Sequence, residues 1–134
     1  MIAADCPLPE VRRLFAGDRF ATEACGCTVA EAAPGHAVCE FSIAEGHLNA
    51  QGNVMGGAIF TLADFALAVA CNMGEEPTVS VSNSIEFMSI AKGSRLIATA
   101  SCDKSGRSLG FYTVRVEDDL GTPVAVMTAV CYRR

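Results

Sequence analysis

One carboxylate lies in the middle of a long apolar segment, and it is the first candidate for chemistry in this chain. Residues 54–73 are rich in Ala, Leu, Val, Ile and Phe, and Asp64 is the only charged residue among them. An ionised carboxylate without partners is costly to bury. Asp64 is therefore either a polar group bonded to a neighbouring side chain or strand end, or a base or nucleophile in a cleft.

A pair of glycines near the start of the same segment could bind a developing negative charge. Gly56 and Gly57 fall in the first turn of the predicted helix, where backbone N–H groups have no intrahelical partner. Glycine lets a ligand approach that backbone closely, and the positive end of the helix dipole adds to the effect. The pair is either an oxyanion hole for a carbonyl group or a site of close packing against a strand.

The spacing between these two features predicts a second subunit. Gly56 and Asp64 are eight residues apart, which is about 12 Å along a helix. One carbonyl carbon cannot easily lie within reach of both groups. If both serve one reaction, Gly56 of one subunit must face Asp64 of another, which predicts a two-fold dimer with two composite sites.

The elements that position these residues can be identified from periodicity. The apolar segment favours a helix over a strand because it is long and rich in Ala, with Asn53 as its N-cap and residues 72–74 as its end. A membrane span is disfavoured by the central Asp64 and the glycine pair. Other predicted elements are a helix at 7–18, strands at 25–32 and 36–42, and four strands joined as consecutive antiparallel hairpins at 78–88, 94–103, 107–118 and 123–132. The expected fold is α+β, with an antiparallel sheet wrapped around a long central helix in one domain spanning 1–134.

Composition excludes several classes of function. The chain has 134 residues, of which 51% are hydrophobic and 19% charged, and its net charge of −5 argues against general nucleic-acid binding. The seven cysteines are odd in number and form no C-x-x-C pair, so we expect reduced, buried thiols. Two distant histidines make a metal site improbable, and we expect none. The first residues lack a basic and then apolar leader, which predicts a cytoplasmic protein.

The segment from His47 to Asp64 resembles the signature of PaaI-like hotdog thioesterases. That signature contains H-x-N, a glycine, H-G-G and then L-A-D on the central helix, and here His47-Leu48-Asn49 and Leu62-Ala63-Asp64 match its ends. The stretches 87–93 and 106–111 resemble the family's next two landmarks, and the resemblance covers roughly residues 10–132. Met55 stands where the family usually has the histidine of H-G-G, and Ile90 stands where proline is common.

The resemblance implies a hotdog fold, a homodimer with a continuous sheet, often a homotetramer, and hydrolysis of acyl-CoA thioesters with no cofactor besides the CoA of the substrate. By matched position, Asp64 is the general base or nucleophile, and the N–H of Gly56, with that of Gly57, polarises the thioester oxygen. Asn49 positions the water or the carbonyl group from the partner subunit. Ser80 falls where some relatives hold a water, with Ser82 as a near alternative.

Coenzyme A would need a local basic patch, because the overall charge repels it. The candidates lie at strand ends and turns, with Arg107 preferred: Lys92, Arg95, Lys104 and Arg107. The sequence does not distinguish an aryl acyl group from a short aliphatic one. A non-catalytic acyl-CoA or small-ligand binding protein is the alternative function, and Met55 favours it. A hotdog dehydratase is disfavoured, because neither His36 nor His47 lies on the central helix.

Overall fold

A single antiparallel sheet of six strands packs against one long helix. The computed structural model describes residues 1–134 and confirms the α+β class, with each predicted helix and strand present and its ends shifted by a few residues. The elements are α1 (Leu8–Phe15), a π-helix (Phe20–Ala24), β1 (Thr28–Ala33), β2 (His36–Ser42), a 3-10 turn (Glu45–His47), α2 (Gly56–Asn72), β3 (Thr78–Phe87), β4 (Arg95–Ser105), β5 (Leu109–Asp118) and β6 (Pro123–Arg133).

The order of the strands corrects one prediction. It is β1-β2-β4-β5-β6-β3, so β3 pairs with β6 at the edge of the sheet and does not form a hairpin with β4. Both edges of β4 are already taken, by β2 and by β5, so β3 cannot pair with β4 and pairs with the free edge of β6 instead. The β1–β2, β4–β5 and β5–β6 pairs are antiparallel as predicted.

The segment that crosses from β3 to β4 is held by a buried carboxylate at the end of β5. Asp118 accepts hydrogen bonds from the backbone N–H groups of Lys92 (2.8 Å) and Gly93 (2.9 Å). It also accepts hydrogen bonds from the N–H groups of Leu120 and Thr122 in the following turn. The neighbouring carboxylate of Asp119 accepts the N–H groups of Ser94 and Arg95, so two side chains hold the crossover.

The central helix α2 is enclosed on every side but one. It packs chiefly against β2 and β4, and side chains such as Leu62, Ala66 and Val69 have no exposed surface. A stripe at helical spacing stays partly accessible: Gly57, Phe60, Thr61, Asp64, Ala68 and Asn72. Asp64 is at the middle of this stripe, so the expected enclosure by strands is incomplete where the chemistry is expected.

The start of α2 differs from the prediction. The helix begins at Gly56 with Met55 as its N-cap, and the side chain of Met55 makes no capping bond. The predicted N-cap at Asn53 is wrong, because its backbone is already engaged in the preceding loop. Its N–H donates to Oδ1 of Asn49 (3.1 Å), and its carbonyl accepts the N–H of Asn49 (2.7 Å).

The N-terminal segment covers one end of the helix. Phe15 of α1 contacts Phe65 of α2 edge to face, with ring centroids 6.0 Å apart. The π-helix that follows was not predicted, and because of it the first strand begins at Thr28 instead of Cys25.

All seven cysteines are free and five are buried. Burial raises the pKa of Cys27 and of Cys39 to about 12. Neither α2 nor any other helix has the length and hydropathy needed to cross a membrane.

Candidate active site

A cleft of about 580 Å³ lies at the start of α2 and is lined by Asn49 and Gly56. Residues 87–91, at the end of β3 and just after it, form another wall. Oδ1 of Asn49 accepts the N–H groups of Gln51 (3.0 Å) and Asn53 (3.1 Å), which fixes the orientation of the amide. Its Nδ2 group has no acceptor within the chain, so two N–H donors remain available at the cleft.

The glycine pair supplies two further donors. The N–H groups of Gly56 and Gly57 have no acceptor within the chain, whereas the next two N–H groups both donate to the carbonyl of Met55. A Cβ atom at Gly56 would lie 3.2 Å from the end of the Phe87 ring, so glycine also allows close packing there. Both interpretations of the pair therefore have support, and Gly57 itself does not line the cleft.

Asp64 lies in a different place, on the accessible stripe of α2. Within this chain, its carboxylate accepts no hydrogen bond and forms no ion pair. Burial raises the pKa of Asp64, and the nearby negative charge of Asp18 raises it further. Asp64 lines two cavities, of about 360 Å³ and about 250 Å³, that meet at Ala68. A carboxylate held this way is a stronger base than an ordinary aspartate.

Ser80 lines the smaller of these cavities together with Asp64. Its Oγ accepts a hydrogen bond from Nδ2 of Asn83 (3.2 Å). The pairing of β3 with β6 shifts register between Ser80 and Ser82, and only Ser80 lines the cavity. The geometry thus favours Ser80 over Ser82 as the serine next to Asp64.

The predicted site residues fall into two halves of one chain. Asn49 and Gly56 line the cleft at the start of α2, whereas Asp64 and Ser80 line the cavity between α2 and β3. The sequence did not predict that Asp18, Arg19 and Phe20 lie at the larger Asp64 cavity. No local pattern could have indicated this, because the contact joins residues some 45 positions apart across a π-helix.

His47 has a structural place in the fold, as expected. It is buried and stacked on Phe41 with ring centroids 4.0 Å apart. Nδ1 accepts the N–H of Ala44 (3.0 Å), so Nε2 carries the proton and donates to the carbonyl of Cys25 (2.7 Å). No group of three or more His, Cys, Asp or Glu side chains is arranged to hold a metal ion.

The four basic candidates form two separate pairs. Lys92 and Arg95 lie at the start of β4, whereas Lys104 and Arg107 lie at its other end, about 33 Å away along the strand. Arg95 is also 3.5 Å from the carboxylate of Glu40. One chain therefore cannot bring all four to the same phosphate group.

The turn that contains Arg107 is held in place by hydrogen bonds from Arg133 on the last strand, β6. Nη1 of Arg133 donates to the carbonyl of Gly106 (2.7 Å), and Nη2 donates to Oγ of Ser105 (3.0 Å). The Arg107 side chain itself is exposed and has no ion-pair partner in the chain. It is therefore free to meet an anion, as are the exposed and unpaired side chains of Lys92 and Lys104.

Comparison with known proteins places this arrangement in a family. A family model described as the thioesterase superfamily matches residues 51–125. Acyl-coenzyme A thioesterase 13 of Homo sapiens is 40% identical over 90 residues, which are 65% of this chain and 64% of that protein. A putative esterase of Deinococcus radiodurans is 31% identical over 113 residues, covering 84% of this chain and 77% of that protein. The structure of the E. coli PaaI protein from the phenylacetic acid degradation operon superposes with a TM-score of 0.82 at 25% identity, over 96% of both chains. The chain belongs to the thioesterase superfamily and has the PaaI-like hotdog fold.

Proposed function

We propose that this protein is an acyl-CoA thioesterase that hydrolyses a small aryl- or short- to medium-chain acyl-CoA to the free acid and CoA. The observation that carries the proposal is the carboxylate of Asp64, which is half-buried, unpaired and exposed to two cavities, with a raised pKa. Two relatives are named as thioesterases that act on acyl-CoA, although the human one is matched over only 64% of its length.

The reaction needs one base and one set of N–H donors. Asp64 takes a proton from water, and the resulting hydroxide attacks the thioester carbonyl carbon. The N–H group of Gly56, with that of Gly57, stabilises the oxyanion of the tetrahedral intermediate. The C–S bond then breaks, and the CoA thiolate takes up the proton held by Asp64. Direct attack by the carboxylate, through an anhydride that water then hydrolyses, uses the same groups.

The two halves of the site meet in a homodimer. Strand β3 is at the edge of the sheet, and large apolar side chains on or after it are exposed, among them Val79, Phe87 and Ile90. An exposed apolar edge strand favours pairing with another copy of itself. The Asn49 and Gly56 cleft of one subunit then faces Asp64 and Ser80 of the other, with Asn49 orienting the carbonyl or the water and Ser80 holding the water. Two such dimers form a tetramer in the cytoplasm.

Coenzyme A binds along the basic residues of both subunits. Lys92 comes directly after Ala91, which lines the cleft that contains Gly56, and Arg95 is three residues further along the chain. The other basic pair lies near the half of the site that contains Ser80. Ser80 of β3 pairs with Cys131 of β6, which pairs with Gly110 of β5 next to the turn that contains Arg107, and Lys104 lies at the same end of the sheet. Each half-site therefore contributes one basic pair, and a composite site has both.

A thiol-release assay with purified dimers tests this proposal. Asp64→Asn keeps the shape of the side chain and removes the base, so hydrolysis of a panel of aryl- and fatty-acyl-CoAs should be lost while the protein stays folded and dimeric. Gly56→Ala is the control. It also changes a residue of the site, in the half that lacks Asp64, but it keeps the backbone N–H group and should therefore retain activity. Turnover near the wild-type level in Asp64→Asn would refute the role of the carboxylate.

Mixed dimers test whether the site is composite. Two differently tagged chains, one Asp64→Asn and one Gly56→Pro, are co-expressed, and the mixed dimer is purified through both tags. A composite arrangement leaves one intact site of two, which predicts about half of wild-type activity, far above that of either parent variant. A site built within one chain predicts no recovery, and that result would overturn the dimer model.

A non-catalytic acyl-CoA binding protein is the second candidate function. The observation in its favour is Met55, which is 54% exposed at the N-cap of α2 and whose thioether offers no strong hydrogen-bond donor. Calorimetric binding of acyl-CoA without release of thiol would support this alternative.

A further inference from the structure

The larger cavity beside Asp64 has an aromatic lining. Its volume is about 360 Å³, and it lies between the π-helix segment and the accessible stripe of α2. Three phenylalanine rings and two alanines form much of its wall: Phe20, Phe60, Phe65, Ala21 and Ala68. The edge contact with Phe15 fixes one of these rings in place. Such a wall suits a hydrocarbon group placed next to the Asp64 carboxylate.

Phe20 is the wall residue with most surface to bury. Its side chain is 68% exposed on the π-helix, directly beside the cavity. Large aromatic side chains gain substantial free energy when they are removed from water. A ligand in the cavity would supply that burial, because no element of the chain covers this side of Phe20.

The charges around the cavity are negative. Asp18 lines it together with Asp64 and is close enough to raise the pKa of Asp64. Arg19 also lines the cavity, but its Nε and Nη2 atoms donate to the carboxylate of Glu23 at 3.1 Å and 3.0 Å and not to Asp18 or Asp64. The other titratable groups near Asp64 are the thiols of Cys71 and Cys131, which interact with each other. The two carboxylates Asp18 and Asp64 therefore outnumber the one cation of the lining, Arg19.

We infer that the acyl group of the substrate lies in this cavity, and that Asp18 makes the cavity reject acyl groups that end in a carboxylate. The inference rests on the proposed function and adds a specificity-determining residue to it. A neutral alkyl or aryl group meets the phenylalanine rings without an electrostatic cost. A terminal carboxylate would bring a third negative charge into a half-buried space.

The experiment compares glutaryl-CoA with pentanoyl-CoA, two thioesters with five acyl carbons that differ in a terminal carboxylate. The quantity measured is the ratio of their kcat/KM values at low ionic strength. Asp18→Asn removes the charge and keeps the shape, and it should raise the glutaryl-to-pentanoyl ratio about tenfold, the equivalent of about 1.4 kcal/mol. The control is Glu117→Gln, which removes one carboxylate from the face of the sheet opposite α2 and should change the ratio less than about twofold.

The outcomes separate this inference from the proposed function. If Asp18→Asn leaves the ratio unchanged, or Glu117→Gln raises it equally, the inference is overturned while hydrolysis of pentanoyl-CoA still supports a thioesterase. If no acyl-CoA releases thiol, the proposed function fails, and the ratio of calorimetric Kd values for the same two ligands decides the inference. A tenfold shift of the Kd ratio in Asp18→Asn would support it, and an unchanged ratio or no binding of either ligand would overturn it.

Discussion

Replacing Gly56 with proline removes one N–H donor from the site with little disturbance of the helix. Gly56 is the first residue of α2, a position that proline favours because its missing N–H has no intrahelical partner. Met55 precedes it with φ −65° and ψ 140°, a conformation that suits a residue before proline. The main contact of a new Cβ is with the end of the Phe87 ring at 3.2 Å, and that side chain is 53% exposed and able to move.

The expected loss follows from the number of donors. Removing one oxyanion-hole donor costs about 10²–10³ in kcat, or about 2.7–4 kcal/mol. The N–H group of Gly57 remains, so we expect about a hundredfold loss for Gly56→Pro, at the lower end of that range. Gly56→Ala adds the same Cβ and keeps the N–H, so it should retain activity within several-fold of the wild type.

The assay is steady-state thiol release for both variants, with thermal unfolding as the check on folding. The ratio of the Ala rate to the Pro rate isolates the N–H group from the contact with Phe87. Equal rates in two folded dimeric variants would refute the oxyanion role of Gly56. A large loss in the Ala variant alone would instead show that close packing is what requires glycine.

Two further predictions concern pH. The kcat/KM of the wild type should rise with pH and level off above the raised pKa of Asp64, because only the carboxylate accepts a proton, and Asp18→Asn should move the midpoint to lower pH. A pH profile in which Asp18→Asn leaves the midpoint unchanged would contradict this. For Asp118, burial alone would raise the pKa, but the N–H groups of Lys92, Thr122 and Gly93 outweigh it and hold the pKa well below its ordinary value. A depressed pKa contributes stability above the unfolded-state value near 3.8 and loses it as the pH falls below that value. Asp118→Asn should therefore lower the urea midpoint at pH 7, with a smaller difference from the wild type at pH 3, and an equal difference at both pH values would count against this reasoning.

The parts of the fold that depend on local pattern could be predicted from the sequence. The central helix follows from a long Ala-rich apolar segment, and β2 follows from alternation over His36–Ser42, which the structure reproduces. The place of β3 could not be predicted, because it depends on which strand edges remain free after β2 and β5 have paired with β4. The carboxylate of Asp118 that holds the crossover gives no sequence signal, since its partners are some 25 residues away.

The part of the candidate site that lies on α2 could be predicted from the sequence. The distance between Gly56 and Asp64 follows from helix geometry, and the structure places them in different cavities accordingly. Asp18 and Phe20 were missed because the π-helix that begins at Phe20 was not predicted, and their contact with the Asp64 cavity joins segments far apart in sequence. The separation of Arg95 from Arg107 follows from the strand predicted at 94–103, because Arg95 lies at one end of it and Arg107 lies just past the other.

We expect Met55 to lower the rate of thioester hydrolysis without abolishing it. Its side chain makes no capping bond, and the N–H groups of Gly56 and Gly57 are free whatever side chain precedes them. The Nδ2 group of Asn49 offers two more donors at the same cleft. Loss of the usual histidine therefore removes one side-chain donor from a site whose other donors come from the backbone and from Asn49. Since one oxyanion-hole donor is worth about 10²–10³ in rate, we expect a slow thioesterase. An assay sensitive to turnover about a thousandfold below that of histidine-bearing relatives is needed before binding without hydrolysis is accepted.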